Sequence, residues 1–125
     1  MALYPKQRIF VVDDEHIIAM TLAAILSYHG YDARHFTDPL KALEAINNEC
    51  PNLLISDVMM AGLTGVELAI QVKALYPTCR IVLISGNAAT ADLLYPALIA
   101  GHHFEVHAKP ITPPNLIAII QATAN

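Results

Sequence analysis

The chain is poor in charged and aromatic residues. It contains no tryptophan, and only 14% of its residues are charged and 6% aromatic. Its 7 Lys and Arg residues are outnumbered by 11 Asp and Glu residues, and the basic residues are scattered along the chain. Because binding to a nucleic-acid backbone requires clustered basic side chains, we do not expect this segment to bind nucleic acid.

Cysteines and long apolar runs are also scarce. Cys50 and Cys79 are far apart in the sequence and fit no metal-binding or redox motif. This usage favours reduced thiols in the cytoplasm over a secreted, disulfide-linked scaffold. The first residues lack an apolar segment of signal-peptide length, and no apolar run is long enough to span a membrane. We therefore predict a cytoplasmic location without membrane insertion.

The length of 125 residues, 55% of them apolar, predicts one domain over residues 1–125. Short runs rich in β-branched and aromatic residues predict strands at 8–12, 33–36, 53–56, 80–85 and 104–108. Helical spacing and caps predict helices at 16–29, from Pro39 onward, and at 65–76, 90–100 and 113–122. In the first helix, Ile17, Ile18 and Leu22 have the spacing of an apolar face. The alternation predicts an α/β fold, a doubly wound (βα)5 unit with a five-stranded parallel sheet.

Polar residues follow four of the predicted strands. Asp13 and Asp14 come after the first strand, Asp57 after the third, Ser85 after the fourth and Lys109 after the fifth. In an open parallel sheet the carboxyl ends of the strands form one edge, where ligands bind. We therefore expect these five side chains to lie close together.

The chemistry of this set points to phosphate and a hard metal ion. Two like charges 4 Å apart repel by about 4 kcal/mol at an effective dielectric constant of about 20, so the cluster of Asp13, Asp14 and Asp57 needs a cation. Carboxylate and carbonyl oxygens favour Mg²⁺ or Mn²⁺. Lys109 is suited to bind a phosphoryl oxygen, and a carboxylate can accept a phosphoryl group as an acyl phosphate.

Together these motifs resemble the receiver domain of two-component response regulators. The matching segments are Val-Val-Asp-Asp-Glu at 11–15, Asp-Val-Met-Met at 57–60 with Gly65, Ile-Ser-Gly at 84–86 and Lys-Pro at 109–110. They occur in the order and spacing of that family and span nearly the whole chain. The resemblance implies the flavodoxin-like receiver fold, with strand order 2-1-3-4-5.

The resemblance also implies a role for each residue of the set. Asp57 would accept a phosphoryl group from a phosphohistidine on a sensor histidine kinase or a histidine phosphotransfer protein. Asp13, Asp14 and Asp57 would hold Mg²⁺ together with the backbone carbonyl of Met59. Ser85 and Lys109 would bind the phosphoryl group, and the Lys109–Pro110 peptide bond would be cis. Such a protein is not an enzyme beyond its own phosphorylation and dephosphorylation, and its last helices would present a changed surface to an unknown downstream effector.

Three positions that bear on switching and on dephosphorylation depart from the family pattern. Val106 stands where an aromatic switch residue is common, and Phe104 is two residues earlier, on the same face of the predicted strand. Met59 and Asn87 occupy the positions that flank the path of an attacking water. An apolar Met59 cannot orient water, so we expect slow autodephosphorylation.

The fourth and fifth helices are apolar on more than one face. Core packing explains about half of these residues, and the rest suggest self-association through the fourth helix, fifth strand and fifth helix. Six histidines are present, but His102, His103 and His107 match no strong zinc pattern. No effector segment follows the last predicted helix before Asn125, so we expect a free-standing receiver or one cut from a larger regulator or hybrid kinase.

Three other functions compete with this interpretation. An aspartate-nucleophile phosphatase would have a second acid where Met59 stands. A nucleotide- or flavin-binding module would need a phosphate-cradling loop after the first strand, where Asp13 and Asp14 instead repel phosphate. A phosphorylation-independent interaction module, in which the acids are relics, has no need for the hydroxyl of Ser85 and the amine of Lys109.

Overall fold

The computed structural model describes residues 6–86 and 90–122. Strands and helices alternate along these residues. The strands are β1 Arg8–Val12, β2 Asp32–Phe36, β3 Leu53–Asp57, β4 Arg80–Ser85 and β5 Glu105–Ala108. The helices are α1 His16–Tyr28, α2 Pro39–Asn48, α3 Gly65–Leu75, α4 Thr90–Ile99 and α5 Pro113–Gln121. Within the described ranges, every helix is too short to cross a lipid bilayer.

All five strands are parallel and form one sheet in the order β2-β1-β3-β4-β5. The predicted (βα)5 fold and the strand order implied by the resemblance are therefore confirmed. Strand β3 is buried along its whole length, whereas β5 at the edge is buried only in part. Central strands have helices on both faces and neighbours on both sides, which explains the continuous apolar runs of β1, β3 and β4.

Alternate residues of each strand pack into two cores on opposite faces of the sheet. Phe10, Leu54 and Leu83 belong to the core beneath α2, α3 and α4. Ile9 and Ile55 belong to the core beneath α1 and α5. Helices thus cover both faces and leave the carboxyl edge of the sheet for the polar residues.

The helix boundaries lie within one residue of the predicted ones, but one predicted apolar face differs. Ile17 has the spacing of a core residue, yet it is 72% exposed. The buried residues of α1 begin two residues later and are Ala19, Leu22, Ala23 and Leu26. The first turn of α1 extends past the sheet edge, so Ile17 instead lines a cleft with Pro110 and Ile111.

Arg80, at the start of β4, ties the last helix to the sheet. Its guanidinium donates to both carboxylate oxygens of Glu105 at 3.0 Å. It also donates to the backbone carbonyls of Ile119 at 2.8 Å and Ile120 at 3.1 Å, near the end of α5. Burial acts to raise the pKa of Glu105, but hydrogen bonds from His107 and Arg80 outweigh it and lower the pKa. One side chain therefore stabilises β4, β5 and α5 together.

We expect Arg80→Met to lower the free energy of unfolding by about 1.5–3 kcal/mol, the usual range for hydrogen bonds to a charged group. The substitution leaves Glu105 and the last carbonyls of α5 without their donor. Arg8→Met is the matched control, since Arg8 also begins a strand. Its Nε lies 2.9 Å from a Glu49 oxygen without hydrogen-bond alignment, and we expect a loss of about 0–1 kcal/mol. Equal losses in urea unfolding would contradict this.

Candidate functional site

Asp57 is the last residue of β3 and is 8% exposed. The loop after it is held close to the sheet, because the Gly65 amide donates to the carbonyl of Val58 at 2.9 Å. A Cβ atom on Gly65 would lie 2.1 Å from the carbonyl oxygen of Asp57, so only glycine fits there. Thr64 caps α3 through a reciprocal pair of hydrogen bonds with Glu67. The start of α3 therefore packs directly against the backbone of Asp57.

Asp13 and Asp14 follow β1 at the same edge. Asp13 is 2% exposed, and its amide donates to the carbonyl of Phe36 at 3.0 Å. Its carboxylate accepts a hydrogen bond of 2.9 Å from the amide of Glu15 at the start of α1. One carboxylate oxygen from each of Asp13, Asp14 and Asp57 lies within 4.8 Å of the others. Three acids from two strand ends thus converge, as the sequence predicts.

Lys109 joins two of these acids. Its Nζ atom lies 2.8 Å from Asp13 Oδ2 and 3.3 Å from Asp57 Oδ1. Burial acts to lower the pKa of Lys109, but the hydrogen bond and charge of Asp13, with the charge of Asp57, outweigh it and raise the pKa. The Lys109–Pro110 peptide bond is cis, as the resemblance implies. Gly86 lies against the stem of the lysine.

Ionisation of Asp57 remains unfavourable even with the positive charge of Lys109 nearby. Its pKa is raised, first by burial and then by the neighbouring charge of Asp13, and Lys109 offsets these effects only in part. An excess of negative charge on hard oxygen ligands is the donor chemistry that Mg²⁺ and Mn²⁺ prefer. The residues present therefore fit a divalent cation held by Asp13, Asp14 and Asp57.

Ser85 lies beside this cluster at the end of β4. Its carbonyl accepts a hydrogen bond of 2.9 Å from the amide of Lys109, and in the β3–β4 register Asp57 pairs with the preceding residue, Ile84. The Ser85 hydroxyl is hydrogen-bonded to the hydroxyl of Thr90, a buried residue at the start of α4. Thr90 was missed as a site residue, because a threonine at a predicted helix start is most simply a cap.

The remaining predicted residues have different surroundings. Met59 is 41% exposed in the loop after Asp57, and Asn87 lies outside the described residues. Val106 is 37% exposed on β5. Phe104, predicted to share the strand with Val106, precedes β5 and stacks on His102. Phe104 also packs against the core beneath α2, α3 and α4, and β5 begins one residue after it.

A family model, a curated relative and a solved structure that are similar to this chain all belong to one family. A model described as response regulator receiver domain matches residues 9–121. The response regulator receiver protein CpdR of Brucella abortus is 30% identical over 115 residues, covering 92% of this chain and 94% of CpdR. A CheY-like receiver domain protein of Methanospirillum hungatei has a TM-score of 0.83 at 27% identity, covering 94% of this chain and 92% of that chain.

Other curated relatives are longer than this chain. The DNA-binding response regulator MtrA of Mycolicibacterium paratuberculosis is 28% identical over 117 residues, which cover 94% of this chain but 51% of MtrA. The chain therefore spans about half the length of the first curated relatives that it matches.

We expect Gly65→Ala to destabilise the fold by about 1–3 kcal/mol, the usual cost of overpacking, or by more. The new methyl group would force the backbone of Asp57 and Val58 away from the start of α3. Gly86→Ala is the control, since its Cβ would meet the flexible Lys109 stem at 3.4 Å, an ordinary contact. Thermal and urea unfolding measure both effects. A Gly65→Ala protein as stable as Gly86→Ala would refute the proposed close packing.

We expect Mg²⁺ to raise the unfolding midpoint at neutral pH. The pKa of Asp57 is raised in the folded protein, so ionisation of this carboxyl lowers the free energy of unfolding. The loss begins as the pH rises past the unfolded-state pKa, and it is complete above the raised folded-state pKa. A cation would offset this cost, and its effect should shrink as acid protonates Asp57.

Thermal unfolding with Mg²⁺, and with Na⁺ at equal ionic strength, measures this effect. Asp57→Asn should raise the midpoint without metal and abolish most of the Mg²⁺ response. Asp32→Asn, at the opposite end of the sheet, should retain it. An equal response in both variants would place the metal elsewhere.

Proposed function

The chain belongs to the response regulator receiver domain family, and we propose that Asp57 is the phosphoacceptor of this receiver in a two-component phosphorelay. The observation that carries the proposal is the pairing of Lys109 with Asp13 and Asp57, 2.8 Å and 3.3 Å away. Lys109 is a cation next to two buried acids at the ends of strands. Phosphorylation of Asp57 would replace its single negative charge with a larger one, which this cation is placed to neutralise. We propose residues 1–125 as a single receiver domain.

The transfer is a displacement at phosphorus. An Asp57 carboxylate oxygen forms a bond to the phosphorus of a phosphohistidine, and the bond from phosphorus to the histidine nitrogen breaks. The histidine ring keeps that electron pair and later takes a proton. Lys109 neutralises a phosphoryl oxygen, and the Ser85 hydroxyl donates to another. Asp13, Asp14, Asp57 and the Met59 carbonyl would hold Mg²⁺, which supplies further charge neutralisation.

A sensor histidine kinase or histidine phosphotransfer protein is the proposed donor. A cleft of about 340 Å³ lies next to Lys109 and is lined by apolar side chains that include Ile17, Pro110 and Ile111. An exposed apolar cleft beside a reacting group favours a protein donor over a small anionic metabolite, because it offers a docking surface and no further charge. The proposed location is the cytoplasm, without nucleic-acid binding by this segment.

The output surface is proposed on the opposite side of the site, at α4, β5 and α5. Tyr95, Leu98 and Ile99 of α4 are 64%, 47% and 69% exposed, and Val106 of β5 is 37% exposed. The hydroxyl bond from Ser85 to Thr90 links the phosphoryl site to the first residue of α4. A change in that bond on phosphorylation would alter this apolar face, which is suited to a homodimer or to an unknown effector.

Two other functions remain as alternatives. A phosphorylation-independent interaction module would keep the apolar face and leave the site unused. A phosphatase with an aspartate nucleophile is less consistent with the site, because Met59 stands where such an enzyme has its second acid. The partly buried charge of Lys109, which is paired with two acids, favours the phosphoacceptor over an interaction module whose site is unused.

Incubation with Mg²⁺ and a small acyl phosphate should add one phosphoryl group that is stable to acid and labile to base. Asp57→Asn should abolish the adduct, since the attacking carboxylate is lost. Asp32→Asn should retain it, because Asp32 begins β2 at the other edge of the sheet. Intact-protein mass spectrometry measures the adduct. Its persistence in Asp57→Asn would contradict the assignment, and its absence from the unsubstituted protein would favour the interaction module.

A further inference from the structure

The two cysteines lie at the amino edge of the sheet, opposite the Asp57 site. Cys79 immediately precedes β4, and Cys50 precedes β3 by two residues, Pro51 and Asn52. These strands are neighbours, with Leu53 paired to Arg80. The amide of Arg80 donates to the carbonyl of Asn52 at 3.0 Å, which holds the two strand entrances together. Cysteines far apart in the sequence are thus brought to one place.

Both side chains pack at the same core, the one beneath α2, α3 and α4. The Cys50 thiol donates to the carbonyl of Pro51 at 3.4 Å, and the Cys79 thiol donates to the carbonyl of Arg80 at 3.5 Å. The two thiols are close enough for each to affect the pKa of the other. Cys79 is 2% exposed, whereas Cys50 is only partly buried. Adjacent strands lie about 4.8 Å apart. Cys79 lies opposite Asn52 if the β3–β4 register is continued, and Cys50 is two residues before Asn52, so the two cysteines approach each other at neighbouring strand entrances.

We propose that Cys50 and Cys79 are a dithiol that a small oxidised disulfide, such as oxidised glutathione, converts to an intramolecular disulfide. The Cys50 thiolate attacks one sulfur of the small disulfide and releases one small thiol, which leaves a mixed disulfide on Cys50. The Cys79 thiolate then attacks the Cys50 sulfur and releases the second small thiol. Two protein thiols are oxidised by two electrons, and the small disulfide is reduced by the same two electrons.

Exposure determines the order of these steps. Cys50 reaches solvent and so meets the oxidant first, whereas buried Cys79 can attack only its neighbour. Burial raises the pKa of Cys79 to about 12, with the neighbouring Cys50 adding to the effect, and burial likewise raises the pKa of Cys50. Because the thiolate is the reactive form, oxidation should be slow at neutral pH and faster in mildly alkaline solution.

The crosslink would close a loop over residues 50–79, which holds β3 and α3. It would restrict the unfolded chain and hold the entrances of β3 and β4 together. Asp57 lies at the other end of β3, so its site should stay intact. The expected product is a protein with a higher unfolding midpoint and an unchanged phosphoacceptor.

The test treats the reduced protein with oxidised glutathione at neutral and mildly alkaline pH and follows the intact mass. We expect the mass of two hydrogens to be lost, faster at the higher pH, without a lasting glutathione adduct. The unfolding midpoint should rise and return on reduction. The same protein unfolded in denaturant, where both thiols are exposed, serves as the reference for full thiol reactivity.

Single substitutions separate the steps. Cys79→Ala should keep a stable glutathione adduct on Cys50, and Cys50→Ala should leave Cys79 unmodified while folded. The proposal fails if the unsubstituted protein keeps the same lasting adduct as Cys79→Ala. It also fails if crosslinking occurs between chains, or if folded protein stays reduced while the denatured reference reacts.

Discussion

Two buried carboxylates lie close together at one edge of the sheet. The free energy needed to ionise both of them there explains why positive charge is required next to them. Asp13 and Asp57 are almost fully buried, and the charge of Asp13 raises the free energy of charging Asp57. Lys109 offsets this cost by bonding to both, so its own positive charge is stabilised although it is partly buried. The acids and the lysine are therefore interdependent, and loss of one changes the electrostatics of the others.

The parallel sheet gives its two edges different properties. Every strand runs the same way, so the carboxyl edge collects the polar ends of β1, β3, β4 and β5, with backbone bonds such as Lys109 to Ser85 fixing their spacing. The amino edge instead carries structural contacts, including the Arg80 network and the Cys50–Cys79 pair. The contacts that stabilise the fold and the residues proposed to react thus lie at opposite ends of the strands, so the carboxyl edge can hold the reactive groups.

Much of the site could be predicted because its residues directly follow strands. Asp57 follows an apolar run that predicts a buried strand, and Lys109 follows a less apolar run that forms the edge strand β5. Strand direction brings both side chains to one edge. The exposure of Ile17 could not be predicted, since periodicity gives a face of α1 but not the point where α1 passes the sheet edge. The β-favouring aromatic ring of Phe104 predicts a strand that includes it, whereas the strand in the structure starts one residue later, at Glu105.

The sequence by itself determined the order of elements, the α/β class and the set of acids, hydroxyl and amine, because these follow from local hydrophobic period and residue chemistry. Only the tertiary structure decided which side chains touch. The contacts of Lys109 with Asp13 and Asp57, and the hydroxyl bond from Ser85 to Thr90, join residues that are remote in the chain or in different elements. Cys50 and Cys79, also remote in the chain, are brought to the same core. Such contacts depend on the register and packing of neighbouring strands, which no local pattern encodes.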